Sequence, residues 1–268
     1  STDWGRDTPF ASVATKTEFS DVTLWGVLAY ELTECLSIGG GIGVSYGDGE
    51  LRRMVAPGTE FKFTGDDYEA TWLASLHWRP HPQHAFGFTY RAHTKFDLEG
   101  DAHAGVSLGS ASLDLELPDT AVLGYAYQPN ECWTLETNVE WVNWERLDTS
   151  TLKTALGPEP IPFNWDANFM YGVGASYHPE GPWTYSAGYI YIENSQPDDT
   201  FNPAVADANR HWLSAGVSYA GEDWSMDFAY QYAFSDRSVK ADLPLGAAVN
   251  GDYDSDFHGL MLSLNKRF

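Results

Sequence analysis

Apolar and polar residues alternate with a period of two along most of this chain. In "WSMDFAYQYAF", Trp224, Met226, Phe228, Tyr230, Tyr232 and Phe234 share one face, and Ser225, Asp227, Ala229, Gln231 and Ala233 share the other. In "HGLMLSLNKRF", Leu260, Leu262, Leu264 and Phe268 oppose Gly259, Ser263, Asn265 and Arg267. Side chains on a strand point to opposite faces in turn, so each stretch predicts a two-faced β-strand. Eleven such segments begin near Asp21, Cys35, Tyr68, His84, Ala121, Cys132, Asn168, Trp183, His211, Trp224 and Phe257. Each has roughly the 9–11 residues that a tilted strand needs to cross a bilayer, or more.

The connections sort by length. "LTEC", "RPHPQ", "QPNEC", "HPEGP" and "AGED" are tight turns, and they alternate with long links at 47–67, 94–119, 146–166, 193–210 and 235–254. Short turns at one end of an antiparallel meander and long loops at the other are the pattern of a transmembrane β-barrel. No stretch reads as a helix of any length.

Composition sharpens this picture. Aromatic residues make up 15% of the 268 positions, with 11 Trp and 15 Tyr. Amphipathic rings in such number suit a membrane–water boundary better than an aliphatic core. The alternate face is built of Gly, Ala, Ser and Thr rather than the Lys and Glu of a solvated surface. That favours a membrane barrel over a soluble β-sandwich or lipocalin-like barrel. The net charge of −23 excludes nucleic acid as the default partner, since a phosphate backbone needs clustered cations. Cys35 and Cys132 lie four strands apart on one rim, about 19 Å, too far for a disulfide. No cofactor is called for.

The stretch "PDDTFNPAVADANRHWLSAGVSY" (197–219) resembles the FadL family of outer-membrane transporters for long-chain fatty acids and hydrocarbons. The matching residues are Pro197, Phe201, Pro203, Asp207, Arg210, Trp212, Gly216 and Tyr219. "DWGR", "LAYELTECLSIGGGIGVSYG", "NVEWVNWERL" and "NWDANFMYGVGASY" follow the family's order along nearly the whole chain. The resemblance implies an all-β transmembrane antiparallel barrel in the bacterial outer membrane, about eleven strands of fourteen, spanning 1–268. It also implies passage of a hydrophobic small molecule and contact with outer-membrane lipid and lipopolysaccharide. The family's N-terminal hatch and roughly three strands have no counterpart here; the one Asn-Pro-Ala lies at 202–204. An odd number of strands makes first and last neighbours parallel. The expectation is therefore an open seam, closed by a further N-terminal segment or a complementary chain. The terminal Phe268 resembles the signal by which such barrels are recognised for insertion.

Passage of a fatty acid needs an apolar path and a cation for the carboxylate. By parity the inward bulk is Trp25, Leu73, Val142, Trp144, Met170, Ile190, Ile192 and Trp212, and the inward cations are Arg91 and Lys95, with His93 between them. These cations either anchor a substrate carboxylate or pair with lumen acids such as Glu136 and Glu140; the second is the commoner use of a lumen charge. Arg210 with Asp207 is expected to fix a loop. "DYDSD" (252–256) reads as a solvated acidic loop rather than a Ca²⁺ site, lacking the glycine and closing Glu. A barrel enzyme is disfavoured, because no carboxylate is placed to orient His77 beside Ser75. A nonspecific porin is the remaining alternative.

Overall fold

The computed structural model describes residues 2–241 and 246–266. Its strands are β1 (Thr2–Asp3), β2 (Lys16–Thr33), β3 (Leu36–Ala56), β4 (Thr59–His81), β5 (His84–Arg91), β6 (Thr94–Ala104), β7 (Ser107–Leu117) and β8 (Thr120–Asn130). They continue with β9 (Trp133–Val142), β10 (Thr149–Thr154), β11 (Gly157–Pro162), β12 (Asn168–Tyr177), β13 (Trp183–Ile192), β14 (Arg210–Ala220), β15 (Trp224–Val239) and β16 (Gly251–Lys266). All pairs are antiparallel within one 16-stranded sheet. The meander β2-β3-β4-β5-β8-β9-β12-β13-β14-β15-β16 holds the eleven predicted crossings. No ladder joins β2 to β16 among the described residues, so the sheet is open along those two edges, save where β1 pairs Lys16 and Thr17 of β2. Phe268 lies outside the described residues.

The two faces of the crossing strands follow the alternation. Leu24, Leu28, Ile42, Leu123, Val173, Leu260, Leu262 and Leu264 are exposed on the outer face, as lipid contact requires. Aromatic rings close both ends of this apolar band. On the turn side Trp133 meets Tyr177 at 4.9 Å, Trp183 meets Tyr219 at 4.9 Å, and Tyr219 stacks on Trp224 at 4.8 Å. On the loop side Tyr46 meets Tyr68 at 4.7 Å, and His211 bridges Tyr191 and Phe234. The inner face carries small residues, with Gly39, Gly41 and Gly43 in one row of β3. Cys35 and Cys132 are free.

The links do not remain loops. β3 and β4 run on past the aromatic boundary, and the 94–119 and 146–166 links fold into the hairpins β6-β7 and β10-β11. β4 divides its pairing: Leu73–His81 bonds to β5, whereas Phe61–Asp66 bonds to β6. The chain turns between them at Ala92 and His93, where Thr71 Oγ1 donates to the Ala92 carbonyl.

The N-terminal segment packs against the loop end at the seam. Trp4 donates from Nε1 to the Pro203 carbonyl and packs edge-on against Phe10 and Tyr253. Arg6 bonds Glu60, and Lys16, Arg52 and Lys62 converge on Glu50. Burial pushes the Glu50 carboxyl up, but hydrogen bonds from the three cations outweigh it and bring it to about 2.

Two outcomes test this arrangement. Leu262→Arg, near mid-bilayer on the lipid face, should cost about 2–4 kcal/mol in a refolding titration, and Ser263→Arg on the inner face much less. Equal costs would reverse the assignment of faces. Because the Glu50 pKa is depressed in the folded state, its contribution is complete above the unfolded value near pH 4.5 and is lost as pH falls toward 2. Proteolysis of the 47–67 hairpin should rise across that window, and Glu50→Gln should flatten the pH dependence.

Candidate functional site

Above the membrane the inner face of the sheet changes from a thin wall to a packed core. Phe61, Phe63, Phe96, Leu98, Ala102, Ala111 and Leu152 are buried together, with Phe19, Leu51, Leu108, Leu113 and Ile161 packed on them. Each comes from the inner set of its strand: Phe96, Leu98 and Ala102 alternate along β6 with outward Lys95, Asp97, Glu99 and Asp101. Glycine sets how closely the strands approach. A Cβ at Gly47 would lie 2.9 Å from the Phe96 ring, and one at Gly49 2.8 Å from Leu98 Cδ1. At Gly100 it would fall 1.9 Å from the Thr64 carbonyl oxygen, so no side chain is admissible there.

This core is incompletely filled. A cavity of about 100 Å³ opens among Phe19, Leu51, Phe63, Leu98, Leu113 and Phe163. Phe163 belongs to a second buried cluster with Leu147 and Trp165, on which Trp144 packs edge-on to Trp165 at 4.9 Å. The loop 193–209 supplies Asn202, Ala204 and Val205 to the cavity wall.

That loop is held by two arginines. Arg210 bonds Asp207 at 2.9 Å, as the sequence implied, and the other Asp207 oxygen accepts from the Ser195 amide. Arg237, which sequence reasoning missed, donates to Asn194, the Gln196 and Asp207 carbonyls and Asp198, and lies over Phe201 at 5.0 Å. "DYDSD" forms the start of β16, with Tyr253 packed on Phe201.

The predicted path residues divide. Leu73, Arg91, Met170, Ile190 and Trp212 share the inner face at the loop-side half of the crossing strands. Trp25 is also inward: its indole lies over Gly43, where a Cβ would be 2.9 Å from the ring. Arg91 sits over that indole at 5.6 Å. A ring, rather than a carboxylate, is thus its direct contact. Trp212 packs on Phe257 at 5.7 Å, and its indole N–H has no acceptor among the described residues.

Two placements differ from the parity reading. Lys95 points outward, because the turn at Ala92–His93 resets the alternation before β6 begins. Trp144 lies beyond the end of β9 in a 3-10 turn (Trp144–Arg146), so strand parity does not apply to it.

The family profile described as "Outer membrane protein transport protein (OMPP1/FadL/TodX)" matches residues 1–268. The chain belongs to this family. It is an outer-membrane β-barrel protein of bacteria. A long-chain fatty acid transport protein of Escherichia coli O6:H1 is 24% identical over 87% of this chain and 63% of its own length, and that of strain K12 is 23% identical over 66% and 44%. The chain thus spans less than two thirds of these relatives. Among solved structures, a Pseudomonas aeruginosa FadL homologue superimposes with a TM-score of 0.86 at 20% identity, covering 98% of this chain and 70% of its own. The Pseudomonas putida toluene transporter TodX gives 0.74 at 17%, covering 100% and 76%.

Truncating Phe63, fully buried at the cavity wall, should cost about 3–5 kcal/mol as Phe63→Ala. Lys95→Ala should stay within about 0.5 kcal/mol, as a change at an exposed position does. Denaturant titration of the two variants checks that Phe63 stands on the packed inner face of β4 and Lys95 on the outer face of β6.

Proposed function

We propose that this protein takes up hydrophobic small molecules from outside the cell, through the apolar cavity above the membrane and then along the inner face. The cavity carries the reading. Aliphatic and aromatic side chains make most of its wall, with Thr17, Ser150 and Asn202 among the lining residues, and at about 100 Å³ it is smaller than the dry apolar cavity on the order of 150 Å³ that accepts a benzene-sized molecule. Leu73, Met170, Ile190, Trp212 and Phe257 continue an apolar surface below it. The relatives support the same class of cargo, being named for long-chain fatty acids and for toluene.

In this reading Arg91, held over Trp25, meets the carboxylate of an acidic cargo, and the free Trp212 N–H is a second polar contact. A hydrocarbon would need neither. Both open edges, β2 and β16, are closed in the membrane by further strands, since unpaired backbone groups in lipid cost several kcal/mol each.

Uptake of a fluorescent fatty acid into proteoliposomes tests the proposal, with sugar-driven liposome swelling measured in parallel. Leu113→Arg, which puts a charge into the cavity, should lower fatty-acid uptake at least tenfold. Arg91→Gln should weaken uptake of the acid but not of a neutral aromatic hydrocarbon. Rapid sugar swelling with fatty-acid uptake indifferent to Leu113→Arg would instead establish the porin alternative.

A further inference from the structure

A second and larger pocket adjoins the cavity on the side away from the membrane. Its volume is about 350 Å³, and it shares Leu51, Ile161 and Asn202 with the smaller cavity as a common wall. The inner face of β3 runs Gly49, Leu51, Arg53, so Arg53 stands about 7 Å further from the membrane than the shared wall. A molecule entering from outside meets this pocket first. Val13, Leu51, Ile161, Phe201, Ala241 and Val249 make its apolar wall. The volume is that of a ligand site rather than a packing defect.

One group of donors in it is unused. Arg53 borders the pocket and donates from Nη2 to Glu159 Oε2 at 2.5 Å. Its guanidinium lies over the Phe61 ring at 5.4 Å. Nε is buried without an acceptor, and Nη1 has none among the described residues. A buried donor left unbonded costs about 1–3 kcal/mol. The polar neighbours are engaged elsewhere: Thr200 donates to the Phe163 carbonyl, and Asn202 Oδ1 accepts from the Ala204 amide.

Charge decides what kind of acceptor fits. Glu159 already matches Arg53, and Asp199 borders the same pocket, so its charged residues leave a surplus of one negative charge. An added carboxylate would face that surplus, whereas an uncharged oxygen accepts from the guanidinium without adding to it. We propose that this pocket recognises hydrophobic molecules that carry an uncharged oxygen, an ester or a ketone, with Arg53 as the donor and the aliphatic wall around the chain. The proposal rests on the uptake reading for the direction of entry. It adds a head-group preference at the mouth that a fatty acid does not satisfy.

The test is equilibrium binding to the full-length protein in lipid nanodiscs at mildly alkaline pH, with methyl hexanoate, heptanoate and toluene as probes. Wild type should bind the ester about fivefold more tightly than heptanoate. Arg53→Leu should weaken the ester about fivefold and toluene less than about twofold. Glu159→Gln/Asp199→Asn leaves Arg53 without a counter-charge. It should tighten heptanoate about tenfold and keep the ester within about twofold, and it decides the matter should Arg53→Leu not refold. Crystals soaked in methyl ω-bromohexanoate should show bromine in the larger pocket. The proposal is overturned if heptanoate binds wild type as well as the ester does, if Arg53→Leu weakens ester and toluene alike or neither, if the double variant leaves heptanoate unchanged, or if bromine occupies the smaller cavity alone. Ester bound here by a protein that takes up nothing would overturn the uptake reading and leave this site standing.

Discussion

Every backbone N–H and C=O that crosses a bilayer has to be bonded inside the protein, because lipid offers no partner. The rest of this structure follows from that constraint. The eleven crossing strands satisfy one another through continuous antiparallel ladders, and their side chains are then free only to choose a face. Most Leu, Val and aromatic residues go outward and most Gly and Ser go inward, with Trp25, Leu73, Met170, Ile190 and Trp212 as the inward bulk. Among the described residues of these crossing strands, β16 has no ladder on its outer edge, and β2 has one only where β1 meets Lys16 and Thr17.

The same strands do different work at different heights. Along β3 the inner residues are Gly39, Gly41 and Gly43, then Ser45, Gly47, Gly49 and Leu51. At membrane depth Gly43 leaves room for the Trp25 ring. Above it Gly47 and Gly49 let Phe96 and Leu98 of β6 press against the backbone, and Leu51 completes a core. The inner face of β3 is therefore one strand face that changes in character along its length. Above, the β6-β7 and β10-β11 hairpins extend the sheet and supply the packed side chains.

Much of this was legible in the sequence, and the failures are instructive. Membrane crossings and their faces could be read because a period of two repeats over ten residues or more, and one phase error would turn Leu262 or Phe228 inward. Parity could not be carried across the turn at Ala92–His93 or past the end of β9, which is why Lys95 and Trp144 were misplaced. The cavity was hidden in links read as loops. Yet Phe96, Leu98 and Ala102 alternate with charged residues as regularly as any crossing strand, and that was the available signal. Arg237 had none: its partners lie 30 to 43 residues away and are brought to it only by the loop's fold.

The central claim is that the space among Phe63, Leu98, Leu113 and Phe163 is a dry site for a hydrophobic guest. Crystals pressurised with xenon test it without reference to transport, since a dry apolar cavity takes up xenon and a wet one holds ordered water. The account predicts a xenon atom between Phe63 and Leu113 and none in the acidic loops. Ordered waters filling that space, with no xenon there, would contradict it.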